Sequence, residues 1–323
     1  MNKIKQYIET DWFGPAVICA GAMIGIGYLN NSFLSPANLN VLLLAIAISG
    51  AVAMSQMVII ATGQMNLSVG AIGGFSAICF SGLMEVFNIA PLPAALVALA
   101  IGLAAGFING WLITTTGISA FVITLGSLSI FKGMNLGITK AQPFYAVPEF
   151  VKAIGNDSFF GFVPFLIVPT AVVVVFLWFL LARLPLGRNI LAAGANPHAA
   201  ALSGISVNVT VIYAHVISGG VAAMAGMMAV ARLQIGQPSI GDDWLLLSFA
   251  APVIGGAVLS GGHVSVSATV LGVAIVAIIN QTLVMFRVDP FLVQVVLGGL
   301  ILWAVGMNRW RESRAIKNSV KVA

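Results

Sequence analysis

The chain is a succession of apolar stretches about 20 residues long, parted by short polar or helix-breaking segments. Stretches of that length match the thickness of a bilayer's hydrocarbon core. They lack the strict apolar/polar alternation of barrel strands, so the chain reads as helical. Composition points the same way. Of 323 residues, 60% are hydrophobic and 7% charged, too few charges to clothe a water-soluble surface of this size. With lipid as solvent, every backbone N–H and C=O must be satisfied within the spanning segment, which a helix achieves. The sequence therefore predicts an all-α polytopic membrane protein, a single domain over residues 1–323.

Ten spans are expected, at about 12–30, 37–61, 70–88, 92–114, 118–134, 163–183, 208–231, 243–259, 265–286 and 290–307. Breaks are expected at Pro36, Gly63 to Asn66, Pro91 and Pro93, Gly117 and Pro290. Lys3, Lys5, Glu9 and Asp11 precede the first span, which has no small-residue cleavage pattern and reads as a retained helix. An even count places both termini in the cytoplasm. Nine of fourteen basic residues then lie inside, including Arg183, Arg188 and the tail Arg309, Arg311, Arg314, Lys317 and Lys321. Lys132, Lys140, Lys152, Arg232 and Arg287 fall outside with Glu85, Glu149, Asp157, Asp242, Asp243 and Asp289. The net charge of +5 is thus a membrane-topology signal, and nucleic acid is not an expected partner. Cys19 and Cys79, inside apolar runs, read as small buried hydrophobes with no disulfide or metal implied.

Two connections are long: an external loop at about 135–162 and a cytoplasmic loop at about 184–207. Spans two to five and seven to ten form similar sets, each with a Gly- and Ser-interrupted segment, at 62–74 and 251–262. Paired interruptions hint at an inverted repeat.

Three segments are candidates for function. In the first, Gly63 to Phe75, Gly63, Asn66, Ser68 and Gly70 suggest a broken helix whose new start is capped by Asn66 or Ser68 and faces the pathway. A plain polar turn between two spans explains the same residues. No charge lies in this stretch, nor in the span interiors, as an ion-coupled pump would need. In the second, residues 186–205, Asn196 is placed to cap a short helix that starts at Pro197, runs through Ala199 to Leu202 and ends at Gly204. That helix suits docking of a partner, or is a connecting turn with Arg188 as a membrane anchor. In the third, Ala231 to Trp244, Asp242 and Asp243 either cap the next helix or meet an external partner, with Arg232 and Arg287 nearby.

Two motifs are set aside. Leu259 to His263 echoes the signature of transporter ATPases, but no Gly-x-x-x-x-Gly-Lys-Ser/Thr loop occurs anywhere in the chain. Gly117-Ile-Ser-Ala120 resembles an intramembrane protease motif but lacks a His partner, since His198 and His263 lie in loops and His215 reads as a turn at the cytoplasmic end of a span.

Taken together, Gly63 to Gly70, Ser119 to Gly126, Gly187 to Ile205, Ala231 to Gly241 and Val253-Ile-Gly-Gly256 resemble the permeases of ribose-type sugar importers, in the branched-chain amino acid/ribose permease superfamily. The resemblance implies a type II importer fold in the bacterial inner membrane and a second permease, identical or paralogous. It further implies cytoplasmic ATP-binding subunits and a periplasmic solute-binding protein. The coupling loop would then contain Gly187, Arg188, Asn196, His198, Ala199, Ser203 and Gly204. Gly63, Asn66, Ser68 and Gly70 would belong to the pathway, and Arg232, Asp242, Asp243 and Arg287 to binding-protein docking. The chain would hold no cofactor, ATP and magnesium residing on the partner ATPase. Members of that family commonly carry Asp at Asn66, Glu at His198 and a Tyr-Glu-Leu-Asp stretch near Asp242. An ion-coupled transporter or channel, or a same-family permease for nucleosides or branched-chain amino acids, are the alternative readings.

Overall fold

The computed structural model of the chain describes residues 11–289, together with 292, 295, 296, 298, 299, 302 and 306. Helix α1 spans Phe13–Leu29 and leads through a 3-10 turn, Asn31–Leu34, into α2, Pro36–Ala61. The N-terminus of α2 is set by Ser35, whose hydroxyl accepts the Asn38 N–H at 3.3 Å, and by Pro36 in the first turn. Helices α3 (Val69–Glu85), α4 (Pro91–Thr116) and α5 (Ala120–Thr139) follow. Gly117, with φ of 70°, closes α4 in the left-handed conformation that a helix end favours. The next connection contains α6, Glu149–Asn156, and a two-strand hairpin in which Ser158–Phe159 pairs antiparallel with Val163–Pro164. Helix α7 (Ile167–Arg183) turns into α8 (Pro185–Ala195) with a 75° bend, followed by α9 (Pro197–Leu202). Helices α10 (Val207–Leu233), α11 (Trp244–Ile254) and α12 (Val266–Met285) complete the described chain.

A helix lies within each of nine of the ten expected spans. The tenth, 290–307, lies outside the continuously described residues, as does the basic tail. Among the described residues, α2, α4, α5, α10 and α12 are long and apolar enough to cross a membrane, and α7 with α8 makes a sixth if counted together. Helices α1 and α3, with 17 residues each, and α11, with 11, are shorter. At 1.5 Å per residue α11 extends about 16 Å, half the hydrocarbon thickness, so the segment expected to span as one helix at 243–259 does not do so.

The core is centred on α2 and α10, whose apolar windows are 72% and 67% buried against 28% for α4 and 17% for α5. Helix α4 approaches α10 along Gly102 and Gly106, where an added Cβ would lie 2.6 Å from the Gly219 carbonyl oxygen and 2.1 Å from that of His215. This is the small-residue seam that lets membrane helices pack backbone to backbone. The outward faces of α4 and α7 carry exposed Leu92, Leu96, Val172, Val175 and Trp178. Helices apolar on both inner and outer faces suit lipid, and with the spans above they make this an integral membrane protein.

Contacts divide the molecule into two ends. At one, Asp11 pairs with His263 at 3.1 Å, and Ala61 accepts the Gly262 N–H at 3.0 Å beside α8. At the other, Glu85 accepts the Ala146 N–H at 2.7 Å, Phe144 bridges to Gly236, and Gln281 donates to Asn38 at 2.5 Å. Successive helices therefore run back and forth between the same two ends. The 135–162 connection begins later than expected, because α5 continues to Thr139.

Candidate functional site

Both interrupted segments are true breaks. Helix α2 stops at Ala61 and α3 starts at Val69; α11 stops at Ile254 and α12 starts at Val266. The two breaks meet each other and the end of α8. A Cβ on Gly194 would sit 1.9 Å from the Ala61 carbonyl oxygen, and one on Gly261 would sit 2.5 Å from the Gly63 nitrogen. Backbone contact at this junction requires glycine, so the end of α8, the first break and the second break lie backbone to backbone.

Beyond Gly63 the chain enters a buried polar network. Asn66 and Ser68 have no exposed surface. Asn66 Oδ1 accepts the Ser68 N–H at 3.0 Å and the Ser68 hydroxyl at 2.7 Å, while its Nδ2 donates to Ser218 Oγ at 3.3 Å. Ser68 Oγ accepts from Asn109 Nδ2 at 2.9 Å, and Asn109 Oδ1 accepts from Ser127 at 2.5 Å. Ser55 donates to the Ser218 carbonyl at 2.8 Å. Gln56, its amide oriented by its partners, pairs with the Asn66 backbone carbonyl and N–H at 3.0 and 3.2 Å. Five helices, α2, α3, α4, α5 and α10, are thus tied through one asparagine turn. Ser68 stands at the N-cap position of α3, yet neither its hydroxyl nor Asn66 caps the first turn of that helix. The expected cap is replaced by this network, because satisfying polar groups on five apolar helices outweighs one end bond.

Gln56, Asn109, Ser127 and Ser218, polar residues within apolar runs and not among the expected site residues, complete the network. His215 is not in a turn: it lies inside α10, fully buried, with Nε2 3.0 Å from Gln64 Oε1. Its Nδ1 has no partner among the described residues. The signal was present, since an imidazole or an amide in a 20-residue apolar window needs a partner.

The second segment folds as its residues dictate. Asn196 Oδ1 accepts the Ala199 N–H at 3.0 Å, Pro197 opens α9, and Gly204, at φ 81°, ends it. Arg188, Asn196, His198, Ala199, Ser203 and Gly204 are exposed, and Leu202 is 78% exposed. Gly187 is different. It is buried at the α7–α8 corner, where a Cβ would meet the Leu180 carbonyl oxygen at 2.0 Å.

The third segment departs most from expectation. Gly236 packs on Ser81, the Ile240 carbonyl on Gly74, and Gly241 on Gly70, so the chain runs down α3 from its far end almost to its start. That descent covers about 16 Å of helix. Trp244 then lies against Gly70 and Gly73. Asp243 occupies the N-cap position of α11 without a side-chain cap bond, and Asp242 pairs with Lys132 of α5 at 2.9 Å. Neither aspartate caps the helix. Asp242 also belongs deeper than an outer-surface position, and Lys132, expected in the external water, lies seven residues inside the end of α5. Span interiors are therefore not free of charge. Arg232 and Asp243 border a groove of about 260 Å³ with Gln237, Ser239 and Trp244, whereas Arg287 is exposed beyond α12 and is not among its lining residues.

Among the described residues no group of three or more His, Cys, Asp or Glu is placed to hold a metal, and Cys19 and Cys79 are free and half-buried.

Comparison with known proteins extends these findings along the chain. The ribose import permease protein RbsC of Bacillus subtilis is 35% identical over 302 residues, covering 93% of each chain. The D-allose transport system permease protein AlsC of Escherichia coli is 33% identical over 302 residues, 93% of this chain and 92% of that protein. The L-arabinose ABC transporter permease protein AraH of Azospirillum brasilense is 31% identical over 287 residues, 88% and 84% respectively. No solved structure gives a significant match. Residues 38–305 match the family described as branched-chain amino acid transport system / permease component, and the chain belongs to that family.

Proposed function

We propose that the chain is the membrane-spanning permease subunit of an ATP-driven importer for a monosaccharide or related small polar solute. The carrying observation is the near end-to-end similarity to three sugar permeases, each at least 31% identical. The exposed, capped helix α9 supports it, since a rigid knob tipped by Leu202 beside a 75° bend suits transmission of force from a partner.

In this reading ten crossings, the eighth made by the 236–243 descent together with α11, form a type II importer fold over residues 1–323, with an inverted repeat of spans two to five and seven to ten. Both termini face the cytoplasm of a bacterial inner membrane, and a second permease, identical or paralogous, completes the path. ATP and magnesium sit on cytoplasmic ATPase subunits docked at 184–207, and this chain has no ATPase of its own. Arg188, Asn196, His198, Ala199, Ser203 and Gly204 form the contact, and Gly187 holds the corner behind it. A periplasmic binding protein delivers the solute to a face that includes Arg232, Asp243 and Arg287. Gly63, Asn66, Ser68 and Gly70 act in the pathway as the joint of the broken helix; the burial of Asn66, Ser68 and Gly70 supports a joint over a lining, and Gly63 is the exposed residue at its edge.

Reconstitution with cognate ATPase and binding protein tests the reading. Uptake of D-ribose, D-allose or L-arabinose that requires ATP and all partners is expected. Uptake driven by a sodium or proton gradient without an ATPase overturns it.

A further inference from the structure

Lys132 lies in a helix apolar enough to cross a membrane, yet half of its side chain is exposed, as is half of its partner's, Asp242. Charged groups in such helices face a water-filled path or a protein partner and not lipid. The exposed side of the pair opens on a cavity of about 80 Å³, lined also by Leu67, Ala71 and Asn135. The cavity thus adjoins the first turn of α3, just past the broken-helix joint. Asp242 is held there by backbone, because Gly241 and Gly70 touch and leave no space for a Cβ on either. Asn135, one turn beyond Lys132 on the same helix face, is 3% exposed. Its Oδ1 has no partner among the described residues. A buried acceptor left unsatisfied calls for an explanation, and a donor from a passing solute is one.

We propose that Lys132, Asn135 and Asp242 form a solute-contact site for a neutral polyhydroxylated compound. Solute hydroxyls donate to Asn135 Oδ1 and to the Asp242 carboxylate, and accept from Lys132 Nζ. The closed ion pair has no net charge, which suits a neutral solute; a zwitterion would have to open it. The cavity has room for a few water molecules, so it takes one edge of a sugar while the rest of the ring lies in the open path. The site rests on the importer reading and adds to it where selectivity resides.

The test is initial uptake of D-ribose, D-allose, L-arabinose and L-leucine by cells carrying the chain with its own ATPase and binding protein, with membrane level and basal ATPase activity followed in parallel. Asn135→Leu and Asp242→Asn are expected to lower sugar uptake about fivefold, the scale of one hydrogen bond, and by factors that differ between the sugars. The exchange Lys132→Asp with Asp242→Lys is expected to restore protein level without restoring the original ratio of sugars. Equal losses for all three sugars, or full rescue by the exchange, would show a merely structural pair and overturn the site. Should a variant fail to reach the membrane, Lys132→Cys labelled by an impermeant thiol reagent decides. Slower labelling in the presence of a transported sugar supports the site, and labelling unchanged while uptake persists overturns it. Uptake of leucine alone by the unaltered chain would overturn the sugar assignment and the importer reading's solute class together, whereas sugar uptake insensitive to these variants would overturn the site alone.

Discussion

Residues 62–70 and 196–204 share ingredients: glycine, one asparagine, one serine and apolar residues. In the fold they are opposites. The asparagine of the first, Asn66, is wholly buried, and its side chain ties Ser68 at the start of α3 to Ser218 of α10. The asparagine of the second, Asn196, is exposed and does one local task, capping α9 through the Ala199 N–H. The glycines differ likewise. Gly63 is wedged against Ser260 and Gly261, while Gly204 ends its helix with open space around it. The lesson is that a polar, glycine-bearing break in an apolar chain specifies a turn, and its surroundings decide whether that turn is a joint or a handle.

The comparison breaks most decisively at the junction linking the two. Gly194→Val puts side-chain atoms where the Ala61 carbonyl already stands, 1.9 Å from the Cβ position. A cost at or above the upper end of the about 1–3 kcal/mol range of overpacking is expected, seen as loss of folded protein from the membrane. Next in size is Asn66→Leu, which removes the acceptor of the Ser68 N–H and hydroxyl and the donor to Ser218 Oγ. Each stranded buried group costs about 1–3 kcal/mol, so the purified protein should melt many degrees lower. If Asn66→Leu leaves melting unchanged, the tie is not structural and the contrast fails.

Asn196→Ala is expected to be milder, about 1 kcal/mol and confined to α9, with melting barely moved and ATP-dependent uptake reduced. Leu202→Asp has the smallest effect on stability, within about 0.5 kcal/mol for an exposed site. It should nonetheless abolish co-purification of the ATPase. Co-purification at the normal level would remove α9 from the docking surface and leave it a connecting turn.

The order of effects also shows what was legible beforehand. Helix α9 was readable to the residue because its determinants, Asn196, Pro197 and Gly204, act over one turn of chain. Nine apolar segments were readable for a similar reason, since hydrophobic length is a local property. Of the two readings of Asp242 and Asp243, the helix cap fails because their position is set at a distance, by Lys132 and by the contact between Gly241 and Gly70. The apolar run 208–231 already places His215 in a helix, whereas its partner, Gln64, lies far away in the chain and only the fold supplies it.

What the sequence determined by itself is that this chain lives in lipid as helices broken at particular places. Apolar length, prolines and glycines impose that wherever the helices come to rest. Only the tertiary structure decided that the two breaks touch each other and α8, that Asn66 and Ser68 join a polar network drawn from several helices, and that 236–241 descends along α3 to bring Asp242 to Lys132. The physical reason is that a buried polar or backbone group in an apolar medium must find a partner, and which partner it finds depends on helices brought together from distant parts of the chain.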